Sequence, residues 1–141
     1  MIVDRFDDKD GNLVAVKKEL RFIDSFRFMA SSLDALSKNL SSDQYVNMNK
    51  YYRDEQFELL RKKCIYPYKW ATFERLRTGE LPPKEAFYSK LNDCGISDED
   101  YAHAQNVWSA FYCKTFRVYH DLYNVSDVLL LADIFENFRN V

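Results

Sequence analysis

The alternation of apolar and polar residues near the N-terminus predicts extended structure. A turn signal at Asp10-Gly11-Asn12 separates the apolar pair Ile2-Val3 from the apolar run at 13–16. Residues 20–25 begin with a second alternating pattern. We therefore predict a strand at about 12–17 that pairs with a strand at about 20–25.

From residue 31 onward the pattern becomes helical. Residues 31–34 (Ser-Ser-Leu-Asp) resemble a capping box and predict a helix that ends near Leu40. Residues 54–60 begin with acidic side chains and are followed by three basic ones, the order that a helix dipole favours. A short helix is predicted at about 70–76, and the Pro pair at 82–83 is the clearest linker-like position.

Two further helices have the clearest apolar faces. Ser97 caps the first, which is predicted to end near Phe111, and Thr115 caps a longer one that is predicted to end near Phe138. The longer helix repeats apolar residues at helical spacing: Phe116, Tyr119, Tyr123, Val128, Leu131, Phe135 and Phe138. The chain is therefore predicted to be mainly helical, of the α+β class, with a small N-terminal β-hairpin and a long C-terminal helix.

Composition and charge narrow the function classes. Hydrophobic residues make up 47% of the 141 residues and aromatic residues 16%, which is enough for a core and excludes a disordered linker. No apolar run reaches the length of about 18 residues that a membrane span needs, and residues 1–7 do not read as a signal peptide. A net charge of -2 argues against a general DNA-coating protein.

The cysteines and histidines predict no metal site. Cys64, Cys94 and Cys113 are odd in number and widely spaced, so reduced thiols are expected. His103 and His120 do not form the short ligand pairs that zinc sites use.

One pair in the last helix could carry chemistry. Tyr123 and Asp127 are four residues apart and therefore lie on the same helix face, one turn from each other. Asp127 is followed by the apolar run 128–131, where an unneutralised carboxylate is costly. A divalent cation would neutralise it, and the tyrosine could orient a metal-activated water. The alternative is a chance spacing, with Asp127 at the solvent edge.

Longer stretches of sequence resemble a known family. The last helix contains the run Tyr119-His120-Asp121-Leu122-Tyr123-Asn124-Val125-Ser126-Asp127-Val128-Leu129-Leu130-Leu131-Ala132-Asp133. This run resembles the third exonuclease motif, Tyr-x-x-x-Asp, of family B DNA polymerases, and looks closest to the protein-primed kind of viruses, linear plasmids and self-synthesising transposons. Residues 22–29 look like the family's strand that contacts single-stranded DNA, and residues 60–67 look like its Lys-x-x-apolar segment. The resemblance covers about residues 12–140, with the motifs in the family's order.

The resemblance implies a 3′–5′ proofreading exonuclease of ribonuclease H-like fold, joined to a DNA polymerase inside the cell, at the nucleus or a viral replication site. It implies that Asp127 binds a catalytic Mg2+ or Mn2+ and that Tyr123 orients the attacking water. Lys63 would steady charge near the scissile phosphate. Ser25 and Phe26 would contact the single-stranded 3′ end of the DNA.

The chain departs from the family in ways that limit its own activity. The family's first motif, Asp-x-Glu, and its second, Asn-x-x-x-Phe-Asp, are absent, and the polymerase carboxylates would lie after Val141. Phe26 stands where Leu is usual, and Cys64 stands where Gly is common. We therefore expect one partial domain, with a β element at 12–29, a helical connector at 30–113 and the exonuclease-motif helix at 114–140. The isolated chain is expected to be inactive without the remaining exonuclease and polymerase segments.

A second hypothesis is a small, non-catalytic helical module that binds a partner or single-stranded DNA. A half-domain should expose an apolar face and self-associate, which separates the two hypotheses. Two aromatic groups bear on this question. Tyr101, Trp108 and Tyr112 are expected in the core rather than in a base-stacking platform. Tyr66, Tyr68 and Trp70 could form either a packing plug or a strand-contacting loop, and we favour packing.

Overall fold

The structure, a computed structural model, describes residues 2–7, 9–17, 19, 24, 27, 29–90 and 92–139. The chain divides into two compact units, residues 1–30 and residues 31–141. Ser25 and Phe26, which the resemblance assigns to DNA contact, lie outside the described residues. So does the strand expected at about 20–25, apart from Asp24.

A two-stranded antiparallel hairpin forms the described part of the first unit. Strand β1 (Ile2–Asp7) pairs with β2 (Leu13–Lys17), with Asp7 opposite Leu13 and Asp4 opposite Val16. Gly11 has a φ of 76°, a left-handed conformation that glycine adopts without strain, and it closes the predicted turn. The strand predicted at about 12–17 is therefore confirmed, and the partner that the structure gives it precedes it in the chain.

The second unit is helical. Its α-helices are α1 (Leu33–Ser37), α2 (Met48–Tyr51), α3 (Asp54–Leu60), α4 (Asp98–Ala110) and α5 (Phe116–Arg139). Short 3-10 helices lie at Ser42–Gln44, Glu74–Arg77 and Lys84–Phe87. Together with the hairpin, these elements confirm a mainly helical α+β chain.

Local capping determines where two helices begin. The Ser32 hydroxyl accepts a hydrogen bond from the Ala35 amide at 3.2 Å, and the Ser97 hydroxyl accepts one from the Asp100 amide at 3.0 Å. Both starts agree with the predictions, because a capping side chain acts within three residues of itself. The helix expected to run to about Leu40 ends earlier, at Ser37.

The short helix predicted at about 70–76 is present in only the last part of that range. The Pro67 carbonyl accepts hydrogen bonds from Trp70 and Ala71, which closes a turn, and the 3-10 helix begins only at Glu74. The Trp70 ring packs edge-on against Phe116 of α5, with 5.0 Å between ring centroids. This packing fixes the turn, since tertiary contacts override weak local propensity.

Helix α5 is the element around which the second unit is organised. It contacts α1, α2 and the 3-10 helix Glu74–Arg77. The core is rich in aromatic and aliphatic side chains from α2 to α5: Tyr45, Met48, Phe57, Leu60, Cys64, Ala104, Val107, Cys113, Phe116, Tyr119, Leu122, Tyr123 and Leu130.

Not every apolar position of α5 is buried. Of the residues predicted for its apolar face, Phe116, Tyr119 and Tyr123 are buried, whereas Val128 and Leu131 are exposed. Val128 has 67% of its surface exposed. The helix is apolar on more than one side, so periodicity alone did not distinguish the core face from the outer one.

Asp133 joins α5 to the start of α2. Its carboxylate is fully buried and accepts hydrogen bonds from the backbone amides of Asn47, at 2.6 Å, and Met48, at 3.0 Å. One turn further on, the Asn137 amide donates to the Gln44 carbonyl at 3.0 Å. Asp133 thus supplies the acceptor that the first amides of a helix need.

We predict that Asp133→Ala lowers the free energy of unfolding by about 3 kcal/mol, because two buried amides lose a charged acceptor. Urea denaturation followed by circular dichroism measures the change. Asp121→Ala, on the exposed side of the same helix, is the matched control and should leave the stability nearly unchanged. Equal losses in both variants would contradict the role assigned to Asp133.

An ionic contact holds the end of α3 against the start of α4. The Lys62 ammonium lies 3.0 Å from the Asp100 carboxylate, and the Ser97 hydroxyl also donates to that carboxylate. These hydrogen bonds lower the pKa of Asp100.

His103 lies one turn further along α4. Burial lowers the pKa of His103 below its ordinary value of 6.5, and the positive charge of Lys62 lowers it further. The His103 Nε2 atom is buried and has no hydrogen-bond partner among the described residues.

Because the folded-state pKa of His103 is lowered, the unfolded chain takes up the proton first as the pH falls. The part of the folding stability that depends on a neutral His103 is fully present above about pH 6.5. It is lost as the pH falls through the pKa that His103 has in the folded state. We predict that the wild type loses stability faster than His103→Leu below about pH 6.5. Urea denaturation at a series of pH values measures this, and parallel stability profiles for the two proteins would contradict it.

Candidate functional site

Helix α5 places Tyr123 and Asp127 one turn apart, as their spacing predicts. The Tyr123 side chain is buried, and the Asp127 side chain is 25% exposed. The phenol therefore lies at the wall of the core, and the carboxylate lies at its edge.

Lys63 meets this pair from a distant part of the sequence. It lies three residues after the end of α3, and its Nζ lies 3.6 Å from Oδ2 of Asp127. The sequence did not identify the group that neutralises the Asp127 carboxylate. In the structure this group is Lys63. The other carboxylate oxygen of Asp127, Oδ1, is buried and accepts no hydrogen bond from any residue that the structure describes. We refer to these three residues as the Lys63–Tyr123–Asp127 cluster.

The segment 64–70 fixes the position of Lys63 by packing along α5. The Tyr119 hydroxyl donates to the Ile65 carbonyl at 2.8 Å. The Tyr66 ring stacks on Tyr123 at 4.6 Å between centroids, and its hydroxyl forms a 2.7 Å hydrogen bond with Nδ1 of His120. Two successive turns of α5 therefore hold the segment that directly follows Lys63.

Two of the three aromatic residues around Pro67 pack against α5, and the ring of the third is exposed. Tyr66 and Trp70 pack against α5, as the packing interpretation predicts, and Pro67 is fully buried. Tyr68 is 71% exposed, yet its hydroxyl forms a hydrogen bond with the Tyr123 hydroxyl. Its ring therefore faces solvent while its polar end reaches the cluster.

The surroundings of Tyr123 keep its phenol protonated. Burial raises the pKa of Tyr123 most, and the hydrogen bond with Tyr68 and the negative charge of Asp127 raise it further. At neutral pH the group can donate one hydrogen bond and accept others, but it does not act as a phenolate. Burial also raises the pKa of Cys64 to about 12, so its thiol stays neutral beside the cluster.

An open cavity of about 570 Å3 lies next to the cluster. Lys62, Lys63, Tyr66, Tyr68 and Tyr123 line one part of it. The remaining charged lining residues carry both signs: Asp34, Lys38, Glu99 and Asp100. The cavity thus offers cations and aromatic rings on the side of the cluster.

The cluster can supply part of a metal site. Within the described residues, no group of three His, Cys, Asp or Glu side chains could hold a metal ion. Asp127 is the only carboxylate of the cluster, so the cluster supplies at most one carboxylate ligand, and its Oδ1 is buried without a hydrogen bond from the described residues.

The structure assigns contacts that the sequence did not predict. Neither the hydrogen bond between Tyr68 and Tyr123 nor the burial of Asp133 follows from a motif or a spacing. An acidic residue within the apolar stretch of α5 was the only signal that could have singled out Asp133. Ser25 and Phe26 cannot be placed relative to the cluster, because they lie outside the described residues.

Comparisons with known proteins leave the family resemblance as a prediction. No helix in the described part of the chain combines the length and apolarity that crossing a membrane requires. No protein-family model matches the chain, and no curated protein or solved structure matches it significantly.

Proposed function

We propose that this chain contributes part of the 3′–5′ exonuclease of a protein-primed family B DNA polymerase, which acts in the replication of a transposon or virus. The enzyme would work inside the cell, at the nucleus or a viral replication site. One observation carries the proposal: Lys63, Tyr123 and Asp127 meet in the fold. The resemblance assigns them to two separate motifs, and nothing in the local sequence requires them to meet.

Each member of the cluster has a property that suits its proposed role. Asp127 has a buried carboxylate oxygen that accepts no hydrogen bond from the described residues, and Mg2+ or Mn2+ would satisfy it once further ligands open and complete the site. The bound ion supplies polarisation of water and neutralisation of charge at the phosphate. Tyr123 holds a neutral hydroxyl that can orient water, and Lys63 brings a positive charge to the same place.

The exposed apolar residues on the outer face of α5 support the proposal that a further protein segment packs there. Val125, Val128 and Leu131 are exposed on the turns around Asp127. An apolar surface on the same helix as this carboxylate suits a protein segment that covers the face and brings further carboxylates. In the proposed enzyme, the strands with the first two exonuclease motifs would do both.

A non-catalytic helical module is the second candidate function. The observation that favours it is the ion pair of Lys63 with Asp127, which neutralises the carboxylate without any metal. In such a module the cluster would be structural, and the cavity and its aromatic lining would serve binding.

We predict that the isolated chain does not resect a single-stranded oligonucleotide in Mg2+ or Mn2+, because one carboxylate does not hold two weakly bound ions. A 5′-labelled oligonucleotide resolved on a denaturing gel measures this, because the label stays on the shortened products. Robust cleavage that is lost in Asp127→Ala would contradict the prediction of inactivity.

The proposal itself is tested on the complete reading frame, obtained by sequencing the flanking DNA and transcript. In that protein, Asp127→Asn should reduce 3′ resection by about 100-fold or more, and Tyr123→Phe by about tenfold. Asp121→Asn is the matched control on the same helix and should leave resection unchanged. A complete frame without further exonuclease carboxylates, or equal activity in all variants, would overturn the proposal in favour of the non-catalytic module.

A further inference from the structure

Two stretches of the second unit, residues 69–79 and 112–114, combine exposed aromatic rings with basic side chains. Tyr112 is 84% exposed and Phe73 is 75% exposed, the highest values for large apolar side chains in the described part of the chain. We call the aromatic–basic surface the set Lys69, Phe73, Arg75, Arg77, Tyr112 and Lys114. None of these residues belongs to the Lys63–Tyr123–Asp127 cluster.

Backbone contacts make the two stretches neighbours. The Phe116 amide donates to the Thr78 carbonyl at 2.7 Å. A Cβ atom at Gly79 would lie 3.7 Å from the Lys114 carbonyl oxygen. Arg77 and Lys114 therefore extend from adjacent pieces of backbone, at the N-terminal end of α5.

The chain reversal between α4 and α5 directs Tyr112 outward. Tyr112 has a φ of 50°, the left-handed backbone conformation that residues other than glycine rarely adopt. The next residue, Cys113, is buried, and its amide donates to the Trp108 carbonyl at 3.0 Å. The expectation that Tyr112 belongs to the core is therefore wrong, because the helix-ending turn buries its neighbour instead.

The basic residues of this surface have no acidic partners. Among the residues that the structure describes, Lys69, Arg75, Arg77 and Lys114 form no ion pair within 4.0 Å, whereas the lysines beside the cavity, such as Lys62, do. Glu74 is the only acidic residue in the two stretches. They are thus locally basic in a chain whose net charge is -2.

Arg75 is held in place within this surface. Its guanidinium lies 4.9 Å from the centroid of the Trp70 ring and donates to the Trp70 carbonyl at 3.2 Å. Trp70 is itself packed on Phe116. A cation fixed in this way loses little entropy on meeting an anion.

We propose that the aromatic–basic surface binds single-stranded nucleic acid. Phosphates would contact Lys69, Arg77 and Lys114, and unpaired bases would stack on Phe73 and Tyr112. An acidic polypeptide would satisfy the cations and leave both rings without a partner, so the rings favour a single strand. The inference goes beyond the proposed function, because this surface needs neither a metal ion nor Asp127.

The test is binding of the intact chain to a labelled oligothymidine of about 12 nucleotides, by fluorescence anisotropy at low salt in EDTA. Phe73→Ala should weaken binding by about tenfold without changing its salt dependence. Arg77→Ala and Lys114→Ala should each reduce the slope of log affinity against log salt by about 0.7, since each removes one phosphate contact.

Lys50→Ala and Tyr51→Ala are matched controls, because both side chains are exposed and lie outside this surface. They should leave affinity and salt slope unchanged. No binding by the wild type, equal weakening in the controls, or equally tight binding of polyglutamate of similar charge would each overturn the proposal. Oligouridine binding as tightly as oligothymidine would support it and identify the ligand as either kind of single strand.

The outcomes separate this inference from the proposed function. Loss of oligothymidine binding in Phe73→Ala, with unchanged binding in Asp127→Asn, supports the aromatic–basic surface whatever the exonuclease assay shows. Binding that is lost in Asp127→Asn and retained in Phe73→Ala assigns the DNA contact to the cluster and overturns this proposal.

Discussion

The packing of segment 64–70 against α5 is the interaction on which the candidate site depends. Tyr66 stacks on Tyr123, and Tyr119 bonds to the Ile65 carbonyl, so a stretch without regular structure is fixed on a long helix. Lys63 directly precedes this stretch, and the packing of the stretch places the Lys63 ammonium group beside Asp127. The end of the same stretch anchors Trp70 on Phe116, which positions the aromatic–basic surface. One aromatic contact zone thus sets both the cluster and the nearby basic residues.

Two carboxylates of α5 show how differently one helix can stabilise buried negative charge. Both carboxylate oxygens of Asp133 accept hydrogen bonds from backbone amides at the start of α2, so the fold itself supplies the hydrogen-bond donors that this buried charge needs. Asp127 faces a lysine with one oxygen, and the other accepts no hydrogen bond from the described residues. A buried acceptor without a partner is costly in a purely structural residue. This difference is the reason why we propose Asp127, rather than Asp133, as the carboxylate that binds an external ligand.

The two proposals assign catalysis and nucleic-acid binding to two different parts of the second unit. The cluster combines a neutral phenol, a lysine and a carboxylate at the edge of the core, a combination that suits phosphate chemistry once further ligands are present. The aromatic–basic surface has exposed rings, and its cations form no ion pairs with the residues that the structure describes; both features suit a flexible strand. Tyr68 directly precedes Lys69 in the sequence, and its hydroxyl forms a hydrogen bond with the Tyr123 hydroxyl. Tyr68 therefore links the two regions along the chain.

The sequence by itself determined the elements whose signals act over three or four residues. The serine caps before α1 and α4, the turn at Gly11 and the relation of Tyr123 to Asp127 all follow from such short-range geometry. Only the tertiary structure decided the contacts between distant segments: Lys63 with Asp127, Asp133 with α2, and Trp70 with Phe116. It also decided that Tyr112 points outward. These outcomes depend on which side chains share the limited space along α5, and a linear pattern does not contain that information.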